Sequence, residues 1–352
     1  MNDLVARTAE LIDIPSVSHE ERAITDHIER ELRAVPWLTL DRLGDNLIAR
    51  TTLDRARRVV LAGHTDTVPV NDNARARVEG DTVWGLGASD MKSGIAVMLD
   101  LATAVDAPAV DVTYVFYASE EIASEFNGLA HVARERPDLL AGDVAVLGEP
   151  TSAEIEAGCQ GTMRVDITLT GVRAHSARPW MGRNAIHRLG RLLAIVESWE
   201  GREPVVDGCQ YREALQAVMV EGGVAGNVVP DRARAVINHR FAPDRDAAAA
   251  EAWLRDLLAP ALEPGDSFEV VDMAVGARPG LDDPLFAGLI ERNNLAVRAK
   301  LGWTDVARFS EFGVPAVNLG PGDPVLAHTK DEFVTRAQLE RTWTILRDLL
   351  GS

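Results

Sequence analysis

The run Leu61-Ala62-Gly63-His64-Thr65-Asp66 closes an apolar segment with a histidine and sets a carboxylate two positions further on. Residues i and i+2 of a strand project to the same side, so His64 can offer a ring nitrogen to a cation while Asp66 orients that ring. Taken alone, the triplet reads equally well as a solvated strand end. Further residues of ligand type, however, follow at similar breaks in the chain. Asp90 lies in the glycine-bounded turn 85–94, ahead of the helical segment 95–102. Glu120 and Glu121 follow the β-rich run 112–117, and Glu149 follows the strand-like run 144–148 and precedes Pro150. His328 comes soon after the run 314–319, in a loop holding Gly320, Pro321, Gly322, Asp323 and Pro324.

Each of these residues has an ordinary explanation: a charged helix start for the glutamate pair, a helix cap for Asp90, a turn for Glu149, a surface loop for His328. Their joint occurrence at strand ends is harder to explain that way. In an open α/β sheet, loops at the carboxyl ends of neighbouring strands converge on one crevice, so residues far apart in sequence can meet there.

In kind and order, His64-x-Asp66, the Asp90-Met91-Lys92 turn, Glu120-Glu121, Gly148-Glu149-Pro150 and the late His328 resemble the motif series of the dinuclear zinc aminoacylase and carboxypeptidase superfamily. Within it, Gly148-Glu149-Pro150-Thr151, Gly158-Cys159-Gln160-Gly161-Thr162, His175-Ser176-Ala177-Arg178-Pro179 and Gly226-Asn227-Val228-Val229-Pro230 resemble the actinobacterial type of desuccinylase that acts on N-succinyl-diaminopimelate. The resemblance implies two zinc ions per subunit, with cobalt able to substitute. Asp90 would bridge them, His64 and Glu149 would complete one set of ligands, and Glu121 and His328 the other. Imidazole and carboxylate donors suit zinc. Asp66 would fix the tautomer of His64, and Glu120 would act as general base, taking a proton from the attacking water and returning it to the leaving amine. A cis peptide between Asp90 and Met91 is also implied.

Composition agrees with an enzyme of the cytoplasm. The chain has 352 residues, 46% hydrophobic and 26% charged, enough for two domains with real cores. Thirty-six basic against 54 acidic residues give a net charge of −18, which argues against a nucleic-acid or anionic-membrane partner. No apolar run reaches the roughly 20 residues of a membrane span, and the polar start Met1-Asn2-Asp3 lacks the pattern of a signal peptide. Two cysteines, Cys159 and Cys209, make no disulfide framework, and Cys159 reads as a small packed residue.

The elements that must carry these residues follow from periodicity. Ser18-His19-Glu20-Glu21 has the form of a capping box opening a helix with Ile24, Ile28 and Leu32 on one face. Strands and helices then alternate to about Glu149, as in a doubly wound α/β sheet. Beyond Gly161 the order changes to strand 162–170, helix 184–199, strands 215–220 and 233–241, helix 247–258 and strand 268–273. This β-α-β-β-α-β series is that of a ferredoxin-like module. The chain is therefore expected to form a zinc-hydrolase catalytic domain from 1–161 and 275–352, with an inserted α+β lid and dimerisation domain at 162–274.

The insert is expected to read the substrate, a small N-acyl amino acid. By the resemblance, His175 reaches the active site of a partner subunit in a homodimer and stabilises an oxyanion. Arg178 and Arg240 can each grip a carboxylate through two parallel hydrogen bonds. Asn227 offers an amide, and Thr304 and Arg308 would face the substrate from the catalytic domain. Trp303 stands where many relatives carry glycine, which would narrow the pocket. His19, His27, His131, His187 and His239 fit no ligand spacing and are read as structural. Within the same superfamily an acetylornithine deacetylase or an aminoacyl carboxypeptidase is the alternative. A metal-binding scaffold without activity is the reading from another class, and the retained Glu120 argues against it.

Overall fold

The computed structural model describes residues 2–351, and the chain folds into two compact units. The first comprises 1–158, 279–298 and 305–352; the second comprises 159–278 and 299–304. The second is thus longer than the expected 162–274, and it takes a short excursion, with Thr304, out of what sequence assigns to the catalytic domain. That excursion carries no periodic pattern of its own, so nothing in the sequence marks it. It is tied into the second unit by backbone, as Gln160 donates to the Lys300 carbonyl at 3.3 Å.

The first unit is built on a mixed eight-stranded sheet. Its centre is parallel: Arg58–His64 lies between Asp111–Tyr117 and Val144–Leu147, and Ala316–Asn318 adds beside Val144–Leu147. Thr39–Leu43 and Asn46–Arg50 extend one side antiparallel, while Ile155–Ala157 and then Val297–Ala299 close the other. Every residue of Asp111–Tyr117 is buried, as are all of Arg58–His64 except Arg58, which is the signature of strands covered on both faces. The helix Lys92–Ala104 is buried along nearly its whole length, so it packs as a core helix rather than an amphipathic surface one. No helix among the described residues is long and apolar enough to cross a membrane.

The second unit holds a four-stranded antiparallel sheet in the order Ala214–Gly222, Arg232–Phe241, Gly161–Thr170, Ser267–Ala274. Gly161–Thr170 alternates buried and less buried residues strictly, with Met163, Val165, Ile167 and Leu169 turned inward against the helices Ala185–Ser198 and Ala247–Leu258. The two helices are capped at Asn184 and Asp246, which accept from the N–H groups of His187 and Ala249. Ala214–Gly222 is an edge strand and is exposed along most of its length.

His239 in this unit is fully buried, with both ring nitrogens unpartnered, among Trp199, Phe241 and Trp253. Burial pushes its pKa down to about 4, with Glu213 opposing and Arg245 and Arg202 assisting. The folded state keeps the ring neutral where an unfolded chain would bind a proton near pH 6.5, so its contribution to stability is full above pH 6.5 and is lost on acidification. Wild-type stability should fall by up to about 1.4 kcal/mol per pH unit between pH 6.5 and about 4 from this residue alone. Thermal melts of His239→Leu against wild type at pH 7.5, 6 and 5 check this, since the variant should gain relative to wild type as pH falls; a constant difference would clear His239 of the effect.

Candidate metal centre

The site lies at the carboxyl ends of the parallel strands. His64 ends its strand opposite Tyr117, and the next residue continues the ladder, Thr65 donating to the Tyr117 carbonyl at 2.8 Å. Glu149 comes two residues after the Val144–Leu147 strand, whose neighbour leads to His328 by a loop after Asn318. Backbones crowd there: a Cβ on Gly320 would stand 2.2 Å from the Gly148 carbonyl oxygen, so only glycine admits this approach.

His64 is buried and held from behind. Its Nδ1 lies 3.1 Å from the Asp66 carbonyl oxygen and 3.4 Å from Oδ1, which leaves Nε2 to face the site. Nε2 stands 3.2 Å from Asp90 Oδ1 and 4.0 Å from Glu149 Oε1. On the other side His328 Nε2 lies 3.0 Å from Glu121 Oε1 and 3.6 Å from Asp90 Oδ2. The two histidines therefore address different oxygens of one carboxylate, the arrangement a bridging ligand needs. Ligand atoms of His64, Asp90 and Glu121 lie within 4.8 Å of one another. Two imidazoles and three carboxylates are a fitting donor set for zinc. The peptide between Asp90 and Met91 is cis.

The acid-base loop hangs from Asp66. Its fully buried carboxylate accepts from the N–H of Glu120 at 3.0 Å, the N–H of Glu121 at 3.1 Å and the Ser18 hydroxyl at 2.7 Å. Burial would raise the pKa of Asp66, but His64 and these donors hold it down to about 2. Ser119, just before Glu120, has φ of 60°, a region non-glycine residues seldom occupy. The buried Glu21 fixes it there by accepting from its N–H at 3.0 Å and its hydroxyl at 2.9 Å. Burial raises the Glu120 carboxyl well above the usual range; His64 opposes this, and Glu149, Asp305 and Glu121 add to it. His64 itself is raised well above 6.5, the hydrogen bonds of Asp66 and Asp90 outweighing its burial. His328 is pushed up to about 9, chiefly by Glu121.

Two sequence expectations change in detail. Ser18-His19-Glu20-Glu21 does not box the helix Arg22–Leu32, whose N-terminus has no side-chain cap; Ser18 and Glu21 instead secure Asp66 and Ser119. Arg308 uses its fork within the first unit, Nε donating to Asp305 Oδ1 at 2.6 Å and Nη2 to the Ser124 hydroxyl at 2.8 Å. Asp305 Oδ2 also accepts from Asn127, the cap of the helix Gly128–Glu135, at 2.9 Å. His175, Arg178, Asn227, Arg240 and Thr304 all belong to the second unit. His175 sits on the short strand Ala174–His175, exposed, and its Nδ1 accepts from the Ala177 N–H at 3.0 Å. The Asn227 carbonyl accepts from the Ser176 N–H at 2.9 Å, so the histidine and asparagine loops are joined.

Residues 60–352 match the Peptidase family M20/M25/M40. The chain belongs to this family. A Mycobacterium tuberculosis protein provisionally named succinyl-diaminopimelate desuccinylase is 52% identical, covering 99% of this chain and 98% of that one. The succinyl-diaminopimelate desuccinylase of Corynebacterium glutamicum is 45% identical over 100% of this chain and 97% of its own. Among solved structures, a tripeptidase of Staphylococcus aureus superposes with a TM-score of 0.81 at 20% identity, covering 99% of this chain and 96% of that one. That likeness concerns the fold. The M20 family is one of metal-dependent hydrolases, and the cluster of His64, Asp90 and Glu121 is where this chain offers a metal site.

Asp66→Ala should weaken zinc binding about tenfold to a hundredfold, because it removes the carboxylate that faces the His64 ring and holds the Glu121 N–H, leaving only the backbone carbonyl on Nδ1. Competition with a chromophoric chelator reads this directly in protein whose circular dichroism matches wild type. Unchanged affinity would mean that Asp66 does not orient the ligand.

Proposed function

We infer that this chain is a metal-dependent amidohydrolase that cleaves N-succinyl-LL-2,6-diaminopimelate to succinate and LL-2,6-diaminopimelate, within lysine and cell-wall precursor synthesis. The observation that carries the reading is full-length similarity to succinyl-diaminopimelate desuccinylases at 52% and 45% identity, on a chain whose base and ligand types are all present. Cys159 and Cys209 are both buried and form no disulfide, which fits the reducing cytoplasm.

Two zinc ions would be held by His64, Asp90 and Glu149 and by Asp90, Glu121 and His328. When bound, they would polarise the amide carbonyl and acidify a water for attack. Glu120 takes the proton of that water and hands it to the amine as the amide bond breaks, and burial, which raises its carboxyl above the usual range, makes it the stronger base for the first transfer. Asp66 keeps His64 in one tautomer and holds the Glu120 backbone in place throughout. Arg308 serves as a support, since Asp305 and Ser124 already take its donors.

The second unit acts as lid and dimerisation domain. Arg240 is its best carboxylate anchor: Asp272, the nearest acidic influence, is taken by Arg164 at 3.0 Å, and burial together with Arg164 holds the Arg240 pKa below the arginine range. A half-buried cation of this kind gains from a substrate carboxylate. Arg178, Asn227 and Thr304 supply further polar contacts. The edge strand Ala214–Gly222 exposes Val218, Met219 and Val220, an apolar open edge that supports pairing with a second copy of the chain. In that homodimer His175 would donate to the oxyanion in the partner's site.

A panel of N-succinyl and N-acetyl amino acids assayed with added zinc tests the substrate. N-succinyl-diaminopimelate should exceed N-acetylornithine in kcat/KM by about 10⁴-fold, because a site built for polar groups rejects an analogue that leaves them unpaired. Equal or reversed preference would favour an acetylornithine deacetylase.

Mixing inactive Glu120→Gln with inactive His175→Ala under subunit exchange tests the dimer. Activity should partly return, because one site of each mixed dimer has both residues intact. No recovery despite demonstrated exchange would place His175 in its own chain's site or outside catalysis.

A further inference from the structure

Glu332 lies four residues beyond His328, at the start of the strand Phe333–Thr335, and is buried. Its Oε1 accepts from the N–H groups of Ser89 and Asp90, each at 2.8 Å, and its Oε2 from the N–H of Gly87 at 3.0 Å. Its own carbonyl oxygen accepts from the Gly85 N–H at 3.1 Å. One residue thus binds four N–H groups of the turn that ends in Asp90. The flanking strands continue the contact, with Phe333 opposite Trp84 and Thr335 opposite Thr82.

A carboxylate at this place is a costly choice if packing were the only need. It is taken out of water, and its charge sits directly behind that of Asp90. An apolar residue or an amide would fill the volume without that repulsion. What a carboxylate offers is two oxygens that can accept three N–H groups at once, which no neutral side chain of that size does. The turn it collects is irregular: Gly85 and Gly87 have φ of 146° and 80°, in backbone regions that glycine alone enters freely.

We propose that Glu332 is a positioning residue for the metal centre, holding the Asp90 carboxylate at a fixed distance from the His328 imidazole. The inference rests on the reading of Asp90 and His328 as ligands of one ion. Glu332 touches neither ion nor substrate. Its reach is along the chain, four residues back to His328, and across hydrogen bonds to Asp90. Its loss therefore weakens the ion bound by Asp90, Glu121 and His328 more than the ion bound by His64, Asp90 and Glu149, whose other ligands come from different strands.

The test uses the full chain, stripped by chelator and titrated with zinc against a chromophoric competitor, with cobalt absorption as a second reading of geometry. Glu332→Gln keeps the shape but turns an amide NH₂ toward backbone N–H groups, and Glu332→Asp keeps the charge but withdraws it by one methylene. Glu332→Gln should weaken about tenfold to a hundredfold the zinc step that His328→Ala also weakens, and the other step much less. Excess zinc should restore kcat to within a few-fold, and in a His328→Ala background the same change should add little. A purely structural role would lower the melting temperature of apoprotein and leave both zinc steps unchanged, and that result overturns the proposal. Should Glu332→Gln fail to fold, the same measurement on Glu332→Asp decides. Wild-type chain that binds no zinc would instead overturn the ligand reading beneath it, so the two failures are distinct.

Discussion

The rest of the first unit is arranged around the burial of one charge. The Asp66 carboxylate has no access to water, and a buried carboxylate without partners would cost several kcal/mol. It is satisfied by the His64 ring, the Ser18 hydroxyl and two successive backbone N–H groups, those of Glu120 and Glu121. The partners come from three stretches of chain. The need to satisfy the charge therefore fixes His64, Glu120 and Glu121 relative to one another. It also requires Ser119 to adopt its left-handed backbone, which Glu21 then sustains from the N-terminal segment.

Much of this was legible in the sequence, and for identifiable reasons. His64-x-Asp66 works as a signal because strand periodicity places i and i+2 on one side. The ligands are legible because strands with both faces covered read as unbroken apolar runs, whose ends are easy to find. The β-α-β-β-α-β order could be read because Gly161–Thr170 alternates without a fault. The residues that support the site were not legible in the same way. Ser18 and Glu21 carry the letters of a helix cap, and their actual partners, Asp66 and Ser119, lie 48 and 98 residues away. Glu332 has no periodic marker, since its partners are backbone groups that any sequence would provide. Arg308 was read as facing the substrate, and its ion pair with Asp305, three residues before it, is one that residue type alone does not announce.

The two units satisfy buried charge differently. In the second, Arg188 and Asp266 form a buried ion pair at 2.5 Å, and Arg188 also donates to the carbonyls of Thr170 and Ala261. Those bonds join helix, strand and loop, and they carry no chemistry. His239 is the counterexample, a polar ring enclosed by aromatic neighbours with neither nitrogen satisfied. The first unit spends its buried polar groups on presenting reactive side chains, whereas the second mostly uses them to secure its own packing.

The strand Ala316–Asn318 is not at the margin of its sheet: it lies between Val144–Leu147 and Ile155–Ala157. It is made about 160 to 170 residues after the neighbours it separates. A growing chain therefore holds an open slot in its central sheet while the whole second unit is made, with the Val144–Leu147 backbone unpaired on that side. Parallel, long-range pairing of this kind is slow to form. His328 and Glu332 follow the slot-filling strand, so a chain that stalls before that point has three parallel strands but lacks both His328 and the carboxylate that gathers the Asp90 turn. Completion of the sheet and arrival of His328 and Glu332 beside the Asp90 turn are therefore one event, which waits until the second unit has been made.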